Sequence, residues 1–472
     1  MKNKVRFFAV AACLLSKLVP ALAQDENSLM SYGGGRNGAG SCLFRDYQAI
    51  GINPANLGIF SGDEMMVTLG FSDVSGLFYS DALPKSDLIS SLLNGKNLSS
   101  DEKLSIAQNF LITGNSFSGE LMPVGIVLQF PKFGGIGFSW RERMTGSTKF
   151  SEPLADLVFN GINSQFIDTI VYDILGQAIG ILDSTVNIGH LFNGSFLKYN
   201  WLREYNISYG TKITGNENFN WYFGAGIKFM QSNAIADITF EDDSISGFAA
   251  FSSLFKIDYA NFTDPKTQLK GRLSPVGKGY GFDVGTTVSY KNKFYSAVSV
   301  SDIGSVKYKG NLVTINDAFK DSLFNFIGIN EANIFTSMDD LFNAEGLFQY
   351  LPEGDKTVQL PTHLRIGAGW KATEKIDLAF DMIQPLNSVS GNLPQAEYAA
   401  LVNFAPVKAI KLSTGFITGG FSNFDIPVGI SFSFIPHQIW QLSIGTCDIV
   451  SWVKQNKPTI SLNVSLLRFH YD

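Results

Sequence analysis

The sequence predicts an all-β chain, a transmembrane antiparallel β-barrel of about fourteen strands with helical extracellular loops and an N-terminal plug. Three observations carry this. The first is the stretch 279–303, where Phe282, Val284, Thr286, Val288 and Tyr290 alternate with Asp283, Gly285, Thr287 and Ser289. Extended backbone turns successive side chains to opposite faces, so such a strand presents one apolar face and one small polar face. Lys291, Asn292 and Lys293 then reverse the chain into a second strand, in which Val298 and Val300 alternate with Ala297, Ser299 and Ser301. The second observation is composition: 45% hydrophobic and 13% aromatic residues, with 40 Phe and 46 Gly, suit aromatic-girdled, glycine-punctuated β-structure better than a helical domain. The third is that short and long connections alternate along the chain.

The N-terminus reads as a secretory signal over residues 1–23: Lys2, Lys4 and Arg6, the apolar run from Phe7 to Leu15, and Ala21-Leu22-Ala23 before Gln24. No later stretch offers about 18 uninterrupted apolar residues, so a spanning helix is excluded. Four of the 36 basic residues (Lys2, Lys4, Arg6, Lys17) and none of the 42 acidic ones fall in this signal, which leaves 32 basic against 42 acidic. That balance argues against nucleic acid as a partner. Cys42 and Cys447 are the cysteines beyond the signal, enough for one disulfide but not for a framework.

Residues 24–61 are rich in Gly, Asn and Ser and lack strand alternation, yet carry Ile50, Ile52, Leu57, Ile59 and Phe60. Asn53-Pro54-Ala55-Asn56-Leu57 starts a turn, because proline fixes its own φ and drives the preceding residue out of the helical region. This segment reads as a plug folding inside the barrel formed by residues 62–472. Strand one covers Met65 to Tyr79. A long insertion follows, with Leu88, Ile89, Leu92 and Leu93 on one helix face and a capping box at Ser99 and Glu102. Strands two and three flank a tight turn at Lys132, and helix-like sequence occupies Phe166 to Leu182. Strand four (Leu197 to Ile213) and strand five (with Phe223, Ala225, Ile227 and Phe229 opposite Gly224, Gly226 and Lys228) flank a turn at Asn216. The hairpin at 279–303 supplies strands six and seven, and in the long insertion from Lys309 to Gln359 helical pieces are expected around Ala318 to Ile327 and Ser337 to Phe348. Strands eight to fourteen run Thr362 to Trp370, Lys375 to Gln384, Glu397 to Phe404, Ala409 to Thr418, Ile426 to Phe434, Trp440 to Ile449 and Thr459 to Tyr471. An even strand count, with every long connection at one rim, is the pattern of bacterial outer-membrane barrels, and it implies the outer membrane of a Gram-negative bacterium.

The Asn53-Pro54-Ala55 turn ahead of the first strand and the Gly279-x-Gly281-x-Asp283-x-Gly285 strand entering a short hairpin resemble the FadL-type long-chain fatty acid transporter superfamily of outer-membrane barrels, including PorV-like relatives of type IX secreting bacteria. The resemblance spans nearly the whole mature chain. It implies a fourteen-stranded barrel plugged by its N-terminal segment, which passes or binds a hydrophobic small molecule. A PorV-like accessory barrel that receives a secretion-system protein is the alternative it implies. Asn53, Pro54, Ala55, Asn56 and Leu57 would then form the ligand-binding or gating element.

Catalysis finds little support in the residues. The four histidines lie far apart without metal-ligand spacing, and Gly137-Phe138-Ser139-Trp140 is no nucleophile elbow. Neither the acidic pair at Asp339-Asp340 nor Glu241-Asp242-Asp243 has the alternation of a calcium loop. No enzyme, metal or cofactor is therefore expected. His363 and Arg365 share the polar face of strand eight and are expected to meet Asp377 and Asp381 of strand nine, forming with Asp283 a polar network in the lumen. Trp140, Tyr199, Trp201, Tyr205, Trp221, Tyr290, Trp370 and Trp440 are expected to form interfacial belts against outer-membrane lipid.

Overall fold

A computed structural model gives the architecture. It describes residues 39–60, 62–80, 99, 105, 114–172, 178–182, 192–241, 244–252, 274–309, 312–315, 323–324, 348–351, 354–407, 409–434, 440–453 and 459–471. Fourteen strands form the wall: β1 (Met66–Ser80), β2 (Asn115–Phe130), β3 (Gly134–Lys149), β4 (Phe196–Gly215), β5 (Phe219–Glu241), β6 (Gly277–Tyr290), β7 (Phe294–Lys309), β8 (His363–Thr373), β9 (Ile376–Pro385), β10 (Glu397–Val407), β11 (Ile410–Gly419), β12 (Val428–Phe434), β13 (Trp440–Thr446) and β14 (Thr459–Tyr471). Each pairs antiparallel with its sequence neighbours. The sheet closes where β14 pairs with β1, from Val67 opposite Tyr471 to Tyr79 opposite Thr459. Closure leaves no unpaired edge, which allows a sheet to stand in hydrocarbon.

The alternation sorts the two faces as the sequence implies. On β6, Tyr280, Phe282 and Tyr290 face outward and are at least 49% exposed, whereas Asp283, Thr287 and Ser289 are buried inside. Ile207, Phe223, Ile227, Ile366, Phe380, Phe416 and Ile444 continue the outward apolar surface round the wall. These side chains point away from the packed interior; the bilayer is the solvent that suits them. Turns of two or three residues join β2 to β3, β4 to β5, β6 to β7, β8 to β9 and β10 to β11, all at one rim. The long connections leave from the other rim.

At that second rim β4 and β5 continue past the barrel. Strand Ser244–Phe251 pairs with the end of β5 and with Leu312–Ile315, which in turn pairs with Phe348–Leu351. The helix-like reading of Phe166 to Leu182 is overturned. The described parts are strands Ile167–Tyr172 and Ala178–Leu182, paired antiparallel. The β-branched run Ile167, Thr169, Ile170 and Val171 favours extended backbone, and pairing outweighs the weak helical periodicity. The described helix in this connection is Glu152–Asn160, capped by Ser151 and bearing Pro153 in its first turn. The expected helix face at Leu88 to Leu93 lies outside the described residues, as does the signal segment. Of the helical pieces expected at 318–327 and 337–348, the described residues Leu323, Phe324 and Phe348 are in strands instead, Leu323–Phe324 pairing with Ala178–Leu182, and the rest lie outside the described residues. Cys42 and Cys447 are buried in separate clusters, and no disulfide joins them. Tyr199 is not a belt residue. It is buried at the long-connection rim against Ala234, Ala236, Ala249 and Phe251, where the extended strands cover it.

Candidate functional site: the enclosed segment and the lumen network

Residues 39–60 lie inside the barrel, and their backbone is held by inward-facing side chains from many strands. Asn53 is extended, as a residue before proline must be, and its side chain accepts from Ala55 N. Pro54 then opens the 3-10 turn Pro54–Gly58 with its φ already set. Asn53 Nδ2 donates to Thr287 Oγ1 on β6 at 2.9 Å, and Thr287 Oγ1 donates to Asn56 Oδ1 at 2.7 Å. Asn56 Nδ2 donates to Ser41 O and Phe44 O, which folds the segment back on itself. Ser299 of β7 donates to Ile52 O, Gln129 of β2 to Leu57 O, and Arg141 of β3 to Tyr47 O. On β9, Asp381 Oδ2 accepts from Gly40 N, Ser41 N and Ser41 Oγ, the last at 2.6 Å. Arg468 of β14 pairs with Asp46.

Close approach is possible because the wall is bare at the points of contact. A Cβ at Gly224 would stand 2.3 Å from Pro54 C, one at Gly210 2.2 Å from Pro54 O, and one at Gly285 2.1 Å from Asn53 Oδ1. Asn53, Pro54, Ala55, Asn56 and Leu57 are all buried. Their apolar partners include Tyr47, Ile50 and Val127 round Leu57, and Tyr222 and Tyr295 round Ala55.

One step further along β6 toward the long-connection rim, Asp283 belongs to an ionic cluster. Lys228 of β5 is fully buried, with its Nζ 2.5 Å from Asp302 Oδ1, 2.8 Å from Asp283 Oδ1 and 3.8 Å from Glu204 Oε1. Arg143 Nη1 lies 3.1 Å from both Glu204 Oε2 and Asp302 Oδ2. Asp283 also accepts from Asn206 Nδ2 and from Asp302 N. His363 reaches the cluster edge, its Nδ1 4.0 Å from Asp302 Oδ2. Buried charges in such numbers are tolerable only with mutual pairing and satisfied hydrogen bonds, both present here.

Of the residues expected in one network, the structure divides the set. Asp283 and His363 meet the Lys228 cluster. Arg365 lies with Asp381, Nη1 3.9 Å from Oδ2, beside the enclosed segment. Asp377 is half-buried on β9 near the short-turn rim, opposite Lys371 in the strand register. Asp302 is absent from the sequence reading for a physical reason. Strict alternation from Val298 and Val300 would put it outside, but a β-bulge between Val300 and Ile303 turns it inward at φ 62°. The lone Lys228 among Gly224 and Gly226 was the visible sign of an inward cation needing partners.

Above the ionic cluster, inward-facing Leu202, Met230, Val306 and Tyr308 pack with Leu360. Charge therefore separates this apolar region from the Asn53 turn, where an unbroken apolar path would have been simpler. Among the described residues no group of three or more His, Cys, Asp or Glu side chains has the arrangement of a metal site.

Residues 63–443 match the model of a family of unknown function, DUF5723. No curated protein matches the sequence. Among solved structures the chain is similar to the toluene transporter TodX of Pseudomonas putida, at 11% identity over 94% of this chain and 98% of that one, TM-score 0.41. It is similar also to the toluene transporter TbuX of Ralstonia pickettii (11%, 93% and 96%, TM-score 0.41) and to a FadL homologue of Pseudomonas aeruginosa (10%, 95% and 99%, TM-score 0.40). The family match covers most of the chain, barrel strands β1 to β12 included, and the protein is accordingly a member of the DUF5723 family.

Proposed function

We propose that the protein is an outer-membrane barrel of a Gram-negative bacterium that binds or passes a hydrophobic small molecule. Residues 24–61 are its plug and Asn53, Pro54, Ala55, Asn56 and Leu57 the gating turn, exported behind a signal over residues 1–23. The supporting observation is the enclosed turn itself. It is joined to the wall through polar contacts from Thr287, Ser299, Gln129 and Asp381, set between separate small apolar clusters round Leu43, Ala55 and Leu57. Hydrogen bonds of this kind contribute about 1 kcal/mol each, and in this reading the segment shifts by exchanging them with water while the cylinder stays paired. In this reading Asp381, with Arg365 beside it, holds the closed state directly, Asp283 and His363 brace the lumen through the Lys228 cluster, and Asp377 lines the short-turn rim. The apolar residues Leu202, Met230, Tyr308 and Leu360, buried together on the long-connection side of the ionic cluster, are where a greasy molecule entering from that rim would lodge.

The test is uptake of labelled toluene and of labelled oleate into proteoliposomes. Wild-type protein should exceed protein-free vesicles for at least one probe, and the double variant Asn53→Ala/Asn56→Ala should change that rate. Uptake equal to protein-free vesicles for both probes would reject the transport reading.

A further inference from the structure

The short-turn rim carries a lysine arc that the transport reading does not use. Three successive turns meet there. Lys291 N donates to Asn218 O at 2.5 Å and Lys371 N to Lys293 O at 2.8 Å, which ties the β4–β5 turn, the β6–β7 turn and the start of the β8–β9 turn together. This arc holds Lys212, Lys291, Lys293, Lys371 and Lys375 against Glu217, Glu374 and the inward Asp377, in a chain whose formal charge is −6. Lys291 and Asn292 both have positive φ, 53° and 49°. A two-residue left-handed turn is ordinarily filled by Asn and Gly, and a lysine there is strained. The strained lysine extends its ammonium over the outward Tyr290 ring, 5.3 Å from the centroid.

Tyr290 stands opposite Phe219 and Phe294 in the register, and Phe294 stacks on Trp370 at 5.7 Å. All four rings, with Trp221, are between 41% and 49% exposed on the face that meets lipid. An ammonium group above a cluster of rings at the end of an apolar wall sits where aromatic belts place themselves, at the headgroup level. We infer that this arc seats the phosphate of an anionic phospholipid in the leaflet at the short-turn rim. Lys291 and Lys293 supply the charge, and the Phe219, Tyr290, Phe294 and Trp370 rings hold the glycerol and upper chains. The reasoning is charge complementarity together with continuity with the lipid-facing wall, and it stands apart from any transported molecule.

The experiment reconstitutes the full-length barrel in nanodiscs of equal parts phosphatidylcholine and phosphatidylglycerol, then counts retained lipids by native mass spectrometry. Wild-type protein should retain phosphatidylglycerol preferentially. Each lysine near an anionic surface is worth about fivefold in binding, so Lys291→Asn/Lys293→Gln should lower that preference about 25-fold. Asparagine accepts positive φ more readily than lysine, so the barrel should keep its heat-dependent gel mobility. Equal retention of both lipids, or a preference untouched in the folded double variant, would overturn the inference. So would a soluble polyglutamate peptide that binds with the same lysine dependence and displaces the lipid, since the arc would then serve an acidic polypeptide.

Discussion

Replacing Gly224 with Ala tests how the enclosed segment is seated. The added Cβ would lie 2.3 Å from Pro54 C, 2.4 Å from Ala55 N and 2.5 Å from Pro54 O, all of them backbone atoms that no rotamer change can move aside. Ordinary carbon contacts are about 3.5–4.0 Å, so the Asn53 turn must retreat by about 1 Å or more. A retreat of that size carries the Asn53–Thr287 and Thr287–Asn56 bonds, 2.9 and 2.7 Å, beyond hydrogen-bonding range. Overpacking costs about 1–3 kcal/mol and each of the two lost bonds about 1 kcal/mol, so the local opening free energy should fall by about 3–5 kcal/mol. Hydrogen exchange by mass spectrometry in detergent should show the amides of Ala55 and Asn56 exchanging about 150- to 5000-fold faster, with β5 and β6 still protected. Unchanged exchange at the turn, or loss of protection spread evenly over the wall, would refute the claim that bare glycines on a rigid wall set this contact.

Three further perturbations test the remaining contacts. Lys228→Met leaves Glu204, Asp283 and Asp302 buried without their central cation; the variant should lose about 3–5 kcal/mol, read as a lower temperature for the heat-dependent gel shift, and Lys228→Met/Asp283→Asn should recover part of it. Asp381→Asn removes the charged acceptor for Gly40 N, Ser41 N and Ser41 Oγ. Local opening should then be easier by about 1.5–3 kcal/mol, and a maleimide reagent should reach the buried Cys42 thiol at least tenfold faster while Cys447 labelling is unchanged. Ile207→Arg puts charge on an outward side chain that is 52% exposed, and should weaken folding into vesicles by about 2 kcal/mol in a urea titration, whereas Lys132→Arg at the rim should have no effect.

The wall was legible in the sequence because one rule, alternation against lipid on one side and a packed interior on the other, operates on every strand. Phe282 and Asp283, or Ile366 and Arg365, announce their faces without help from the rest of the chain. What lies inside was legible only in part. Asn53-Pro54 showed itself as a turn because its cause is local, but Thr287, Ser299, Gln129 and Asp381 come to it from strands scattered along the chain, and no spacing encodes that convergence. The ionic cluster was hidden by a single inserted residue: the bulge at Ser301-Asp302 reverses the phase of β7, and alternation then points the wrong way. The long connections misled for another reason. Beyond the membrane their strands pair beside the barrel, and tertiary pairing decides between helix and strand in Ile167–Tyr172 where local preference is weak.

The position of the enclosed segment couples the two ends of the chain. Residues 39–60 precede β1 in the chain, yet they end up gripped by side chains of β2, β3, β6, β7, β9 and β14. The Arg468–Asp46 pair joins the earliest described stretch to the last strand, and β14 is also the strand that seals the cylinder against β1. The strand that completes the cylinder is thus also the one that supplies this grip, so the enclosed segment gains its full set of partners only when the seam is made.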